Sequence, residues 1–460
     1  MQAWAPKTLG MPADEHASRP RMAWITALSI VMLFPNGPSA AQEVPEPQPR
    51  VVVAVIDSAP NPYHEFLHQG GSLYGASAPS SVTPDVLDEF GIDESHIIEV
   101  TRTGSFAADF AQDKAKFDAI EAGQPYWFEG TNLIGISFNG DGARLRPDVG
   151  SSSHGMGTTS AVLAANPEAI VVLVQSPGAP LGVPGYATRP PGEQWAFAHP
   201  AVDLISTSYG PPGSPPLGYH LNDAYKGVVQ NGKIHVGAAD NSPALSPVDA
   251  TSGPWFTVGV AGYGEGSSEG RQNQSGSLPD FLGDFTQTLP YCLRCEEGKS
   301  TVSGTSFATP RTAGTLSKII LEARRTAGHL RGIVTEGVSQ PVMVRGEGLD
   351  LTNWEIRRAL EEAAFYPTLE DYNQAPPDTP ILDPAPWAQA GWGAVTPDLA
   401  KKVIPEALAH LGIGGPPTRT KPAEACAFMT ANIQARHVWW DQVARFSQSS
   451  GQTSDPFEYC

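Results

Sequence analysis

Short runs rich in β-branched and other apolar residues punctuate this chain from Val51 onward. Val51 to Ile56 comes first, followed by Asn132 to Phe138, Ala169 to Val174, Val202 to Ile205, Lys233 to Ala239 and Trp255 to Val260. A strand that is apolar on both sides belongs inside a parallel sheet covered on both faces. Stretches with helical apolar spacing lie among them: Phe106 to Ala122, His154 to Ala165, Glu193 to Ala198, Asn222 to Gln230, Ala308 to Arg325, Leu351 to Ala364 and Pro397 to Leu411. This alternation predicts an α/β chain, a three-layer, doubly wound, mostly parallel sheet with helices on both faces. Residues 65–145 are longer than a crossover needs and read as an insertion with surface structure. Residues 413–460 read as a C-terminal tail carrying Cys426, Trp439, Trp440 and Cys460.

Polar residues close the apolar runs, and open α/β sheets place their sites at the carboxyl ends of strands. Asp57 follows Ile56. A carboxylate ending a buried strand needs a partner, although an Asp opening the turn Ser58 to Pro62 would look the same. Ser208-Tyr209-Gly210 and Asp240-Asn241 end two further runs, and His154 opens a helix of small residues. Val302 to Pro310 reads as a strand end, a turn at Gly304 and the first turn of a helix that carries Ser306. At such a place unpaired N–H groups and the helix dipole favour a developing oxyanion. An isolated Gly-Thr-Ser is usually an ordinary cap. Here Asp57, His154, Asn241 and Ser306 can converge, and they are the carboxylate, base, oxyanion donor and nucleophile that acyl transfer needs.

In that order and in these blocks the chain resembles the subtilisin-like serine proteases (subtilases, peptidase family S8). Val-Ala-Val-Ile-Asp-Ser at 53–58 is similar to the family's aspartate block, His-Gly-Met-Gly-Thr at 154–158 to its histidine block, and Ser-Gly-Thr-Ser-Phe-Ala-Thr-Pro at 303–310 to its serine block. The intervals of 87 residues from His154 to Asn241 and 65 from Asn241 to Ser306 also fit. The resemblance covers roughly residues 51 to 412. It implies a peptidase domain at 42–412 and a serine endopeptidase acting through Asp57, His154 and Ser306 by way of an acyl-enzyme. Asn241 stands at the oxyanion asparagine position, and Ser208, Tyr209 and Gly210 resemble the edge that pairs with substrate backbone. His154 separates the chain from the acidic sedolisins.

The departures are specific. Ala59 replaces a usual Gly, Met156-Gly157 replaces Thr-His, and Asp240 replaces a common Gly, which would favour a basic side chain before the scissile bond. Ala164 to Ala169 lacks the loop that commonly holds the family's tight calcium ion. The chemistry itself calls for no cofactor; structural calcium could sit elsewhere, for example near Glu370, Asp371 and Asp378. Gln42 to Arg50 leaves no room for the usual inhibitory prodomain. Two alternatives stay open: a processing peptidase dedicated to one partner protein, and a catalytically silent subtilase-fold binding protein.

Charge and targeting narrow the setting. The 460 residues carry a formal net charge of −19, a poor match for nucleic acid or an anionic membrane surface. Polypeptide is the expected partner and a monomer the expected state. Arg19 and Arg21 precede the apolar run Met22 to Phe34, and Ser39-Ala40-Ala41 offers a cleavage site. Residues 1–41 therefore read as an export signal, with Met11 as an alternative start. No other segment reads as a membrane span. Export favours oxidised thiols. Four cysteines allow three connectivities, of which proximity favours Cys292–Cys295 and Cys426–Cys460. A zinc site lacks a second Cys-x-x-Cys or paired His to complete it.

Overall fold

Strand β1, Val52–Asp57, lies at the centre of the molecule, its first five residues buried. It pairs in parallel with β5 (Ile170–Gln175) on one side and β6 (Leu204–Thr207) on the other. The computed structural model describes residues 48–68, 81–140, 143–149, 153–175, 190–208, 228, 233–239, 241, 255–263, 279–327, 353–364, 366 and 387–444. All of these belong to one compact unit, Pro47–Cys460. The export signal expected at 1–41 lies outside the described residues, as do Tyr209, Gly210, Asp240, the acidic loop with Glu370, Asp371 and Asp378, and Cys460.

The main sheet has nine strands among the described residues, in the order β2-β3-β4-β5-β1-β6-β7-β8-β9. The remaining strands are β2 (Ile97–Ile98), β3 (Pro125–Phe128), β4 (Leu133–Ser137), β7 (Ile234–Ala238), β8 (Thr257–Tyr263) and β9 (Phe281–Asp284). Only β3 and β4 pair antiparallel; every other pairing is parallel. After β5 the chain crosses over β1 to start β6, so the winding reverses at β1. Doubly wound sheets place their sites at that point. The fold is the expected three-layer α/β arrangement.

Helices α3 (His154–Ala165) and α5 (Thr305–Ala327) pack on each other and on the central strands. Helix α4, Pro190–Ala198, lies between β5 and β6 along the chain. At the far end of the strands Arg324 of α5 pairs with Asp203 (2.7 and 3.0 Å), and Asp203 accepts from the Val52 N–H at 2.9 Å. That cluster fixes β1 against β6 and α5 from below.

The insertion is more than surface structure. Its helices α1 (Pro84–Phe90) and α2 (Phe106–Asp118) and its strands β2 and β3 extend the sheet beyond β4. Phe110, Phe117, Tyr126 and Phe128 are buried in the same core as β1. A hairpin of β10 (Thr286–Leu289) and β11 (Ser300–Ser303) leads into α5. The last helices are α6 (Asn353–Ala363), α7 (Trp387–Ala390), α8 (Pro397–His410) and α9 (Ala423–Ala444). Arg436 of α9 and Arg357 of α6 both reach the buried Asp280, at 3.0 and 3.2 Å. Two guanidiniums and the Gly259 N–H (2.7 Å) satisfy this carboxylate, without which its burial would be costly.

Candidate active site

Parallel order puts three of the expected residues on one edge. Asp57 ends β1, Ser208 follows β6 and Asn241 lies just past β7, and these strands are neighbours. The N-termini of α3 and α5 bring His154 and Ser306 to the same region. The close approach of α3 requires Gly155, because a Cβ there would stand 2.3 Å from the Ser58 carbonyl oxygen. Ser58 Oγ in turn accepts from the Gly155 N–H at 2.8 Å.

Asp57 and His154 meet. The imidazole Nδ1 lies 2.8 Å from Asp57 Oδ2 and 3.0 Å from Oδ1. A carboxylate can only accept, so Nδ1 carries the proton and Nε2 keeps its lone pair. The carboxylate also takes the Ser58 N–H at 2.7 Å on Oδ1 and the Thr158 hydroxyl at 3.0 Å on Oδ2. Burial lowers the pKa of His154. The Asp57 charge and its hydrogen bond outweigh that effect and hold the imidazole above its ordinary 6.5.

Ser306 is placed by its neighbours. Gly304 has φ 149°, a conformation that favours glycine, and its N–H donates to the Phe285 carbonyl at 3.0 Å. Pro310 has no N–H to close the helical bond to Ser306. The Ser208 hydroxyl donates to that carbonyl instead, at 2.8 Å. The Ser306 hydroxyl faces the Ser208 carbonyl at a long 3.4 Å. The next ring, Phe307, packs on the His154 ring with centroids 5.3 Å apart. Serine block and histidine block therefore share one cleft.

Asn241 is oriented by the residue before the serine. Its Oδ1 accepts from the Thr305 N–H at 2.8 Å and the Thr305 hydroxyl at 3.0 Å. The N–H needs an acceptor, so the carbonyl end of the amide points to Thr305 and Nδ2 is the end left for an incoming oxygen.

Three neighbours had no assigned role in the sequence: Thr158, Tyr291 and Phe307. Tyr291 packs edge-on against Phe307 (5.7 Å, 80°), and burial together with the Asp57 charge raises its phenol pKa. Thr158 was legible in principle, since it lies four residues after His154 on a helix. Tyr291 was not, because nothing local points it at the site.

The metal-capable side chains that cluster among the described residues are His64, Cys292 and Cys295. The His64 Nδ1 accepts from the Phe66 N–H at 3.1 Å, and Nε2 lies 2.8 Å from the Gly298 carbonyl, so both ring nitrogens are engaged. Cys292 and Cys295 have Cα atoms 6.0 Å apart, a span that one disulfide closes. Both their carbonyls accept from Asn61 Nδ2, at 3.1 and 2.7 Å. Among the described residues no helix is long and apolar enough to cross a membrane.

A family model described as the subtilase family, Peptidase_S8, matches residues 48–364. The chain belongs to the subtilase family. It is thereby placed among serine proteases, hydrolases that act on polypeptides. No curated protein matches it. Among solved structures it is similar to the prenylagaramide maturation protease PagA (TM-score 0.43, 12% identity, covering 79% of this chain and 95% of that one). It is also similar to a lanthipeptide protease (0.45, 15%, covering 78% and 88%) and to a mutant of the protease domain of PatA (0.41, 14%, covering 78% and 98%). Helices α7 to α9 of this subtilase lie beyond the matched residues, and Arg436 on α9 is nevertheless bonded to Asp280 inside them.

Proposed function

We propose that this subtilase is an exported serine endopeptidase working through Asp57, His154 and Ser306. The observation that carries the reading is the Asp57–His154 hydrogen bond, at the strand edge where Ser306 begins α5. Turning the Ser306 hydroxyl from the Ser208 carbonyl to the imidazole lets Nε2 take its proton as Oγ attacks the peptide carbonyl carbon. The oxyanion that forms is held by Asn241 Nδ2 and the Ser306 N–H, one of the unpaired donors of the first helical turn. His154 then gives the proton to the departing amine. Water attacks the resulting ester, loses a proton to His154, and Ser306 recovers it as the acid product leaves. Asp57 keeps the imidazole in the correct tautomer and stabilises the imidazolium.

Substrate would pair with the Ser208, Tyr209, Gly210 edge as an added strand, and Asp240 would favour Arg or Lys before the scissile bond. A fluorogenic peptide panel with apolar preference and no gain for basic residues would exclude the Asp240 role. Export sets the thiol chemistry, with bridges Cys292–Cys295 and Cys426–Cys460. Alkylation of the unreduced protein should then find no free thiol.

The test of the reading is labelling by a fluorophosphonate probe. Wild type should label and Ser306→Ala should not. A folded wild type that stays unlabelled would make the fold a silent scaffold.

A further inference from the structure

Thr158 lies four positions after His154, so both side chains leave the same face of α3. The Thr158 hydroxyl has two acceptors within reach: the Gly155 carbonyl at 3.2 Å and Asp57 Oδ2 at 3.0 Å. The first is the ordinary back-bond of a threonine inside a helix. The second is shorter and has a charged acceptor, and charge-assisted bonds are the stronger kind. Thr158 is 0% exposed, so bulk water neither competes for that bond nor replaces it.

We propose that Thr158 is a positioning residue of the proton-transfer machinery. Its hydroxyl holds Asp57 Oδ2, fixes the carboxylate against the imidazole and moderates how strongly that carboxylate retains the imidazolium. The inference rests on the Asp57, His154, Ser306 reading above. The two carboxylate oxygens are held differently. Oδ1 has the Ser58 N–H at 2.7 Å from its own backbone turn. Oδ2 is the oxygen nearer to His154 Nδ1, and Thr158 is its other donor. Without that hydroxyl, Oδ2 loses the donor that shares its charge. More of the charge then falls on the imidazole, and the imidazolium becomes harder to deprotonate.

Asp57 acts on His154, and Tyr291, across the cleft, feels the Asp57 charge. The raised phenol stays neutral where the imidazole titrates, so an acid-limb shift reports on Asp57 and His154.

The experiment is the pH dependence of kcat/KM for wild type and for Thr158→Val, which keeps the shape and removes the hydroxyl. The acid-limb midpoint should rise by about half a unit, with a plateau kcat/KM lower by roughly three- to tenfold. Thr158→Ser keeps the donor and should restore the wild-type midpoint. Thr158→Ala should shift it as Val does, and serves if the Val variant fails to fold. Melting temperature is recorded for each, because a purely structural role would lower it without moving the midpoint. An active wild type whose midpoint is unchanged in the folded Val or Ala variant overturns the role of Thr158 and leaves the triad standing. So does a Ser variant that shifts as Val does. A folded wild type without probe labelling or turnover overturns the triad itself, and Thr158 with it.

Discussion

Two histidines of this protein lie in the same α/β unit and have opposite chemistry. His154 begins α3, is partly open to the cleft and faces a carboxylate. His235 is the second residue of β7, fully buried, with one ring nitrogen 2.8 Å from the Thr207 hydroxyl and the other 2.8 Å from the Thr257 hydroxyl. Hydroxyls can donate or accept, so they satisfy a neutral ring and offer no counter-charge to an imidazolium. Burial pushes His235 down to about 3, while Asp57 holds His154 above 6.5. Burial lowers the pKa of both rings and the Asp57 carboxylate reverses the shift at His154, which in the reading proposed above makes His154 the proton carrier and His235 a brace between strands.

The contrast can be broken by substitution. His154→Ala should cut turnover by roughly 10⁶-fold with little change in melting temperature, since losing the base of such a triad costs about as much as losing all of it. Asp57→Asn should cut it by about 10⁴-fold by presenting the wrong tautomer. Both are read by steady-state kinetics and thermal melting on the same preparations. If either variant loses activity only in proportion to unfolding, His154 is no different in kind from His235.

His235→Ala should give the reverse pattern. It leaves a cavity and two threonine hydroxyls without their partner, at a cost of about 2–4 kcal/mol in urea unfolding. Turnover per folded molecule should stay within severalfold of wild type. A large fall in kcat without loss of stability would refute the structural role.

The smallest effects are in pH, and here the two residues have opposite signs. Between about 6.5 and about 3 the unfolded chain binds a proton that folded His235 refuses. Stability therefore falls as pH drops through that window. His68 and His199, lowered by burial to about 4, add to the same slope. His154 does the opposite: its contribution is present below 6.5 and is lost as pH rises through its raised value. Urea unfolding at several pH values should show a shallower acid slope for His235→Ala and the same slope for His154→Ala or a steeper one. The activity of wild type should fall along its acid limb with a midpoint above 6.5.

Parts of this were readable without coordinates. Asp57, His154 and Ser306 each sit in a short block with a recognisable local pattern: a buried strand ending in a carboxylate, a helix of small residues opening on an imidazole, a glycine turn before a helix. The central strands were readable because they are continuous apolar runs. Phe281–Asp284 is only four residues long and contains Gly283, and the hairpin strands Thr286–Leu289 and Ser300–Ser303 are polar with exposed positions. Such segments take their conformation from a partner strand, so their own pattern is faint. Pro125–Phe128 is unassigned by pattern inside the segment 65–145 and forms a strand by pairing with Leu133–Ser137.

The amino-acid sequence alone determined the family and the α/β class and pointed to the residues proposed for acyl transfer, because those depend on local pattern and on rare combinations of residue types. Only the tertiary structure decided that β6 rather than β2 lies beside β1, that Ser208 holds the carbonyl left unbonded by Pro310, that Thr158 reaches Asp57, and that Arg436 of the tail is bonded to Asp280. Each of these joins partners that have no shared local signature. Which donor finds which acceptor is settled by how the whole core packs.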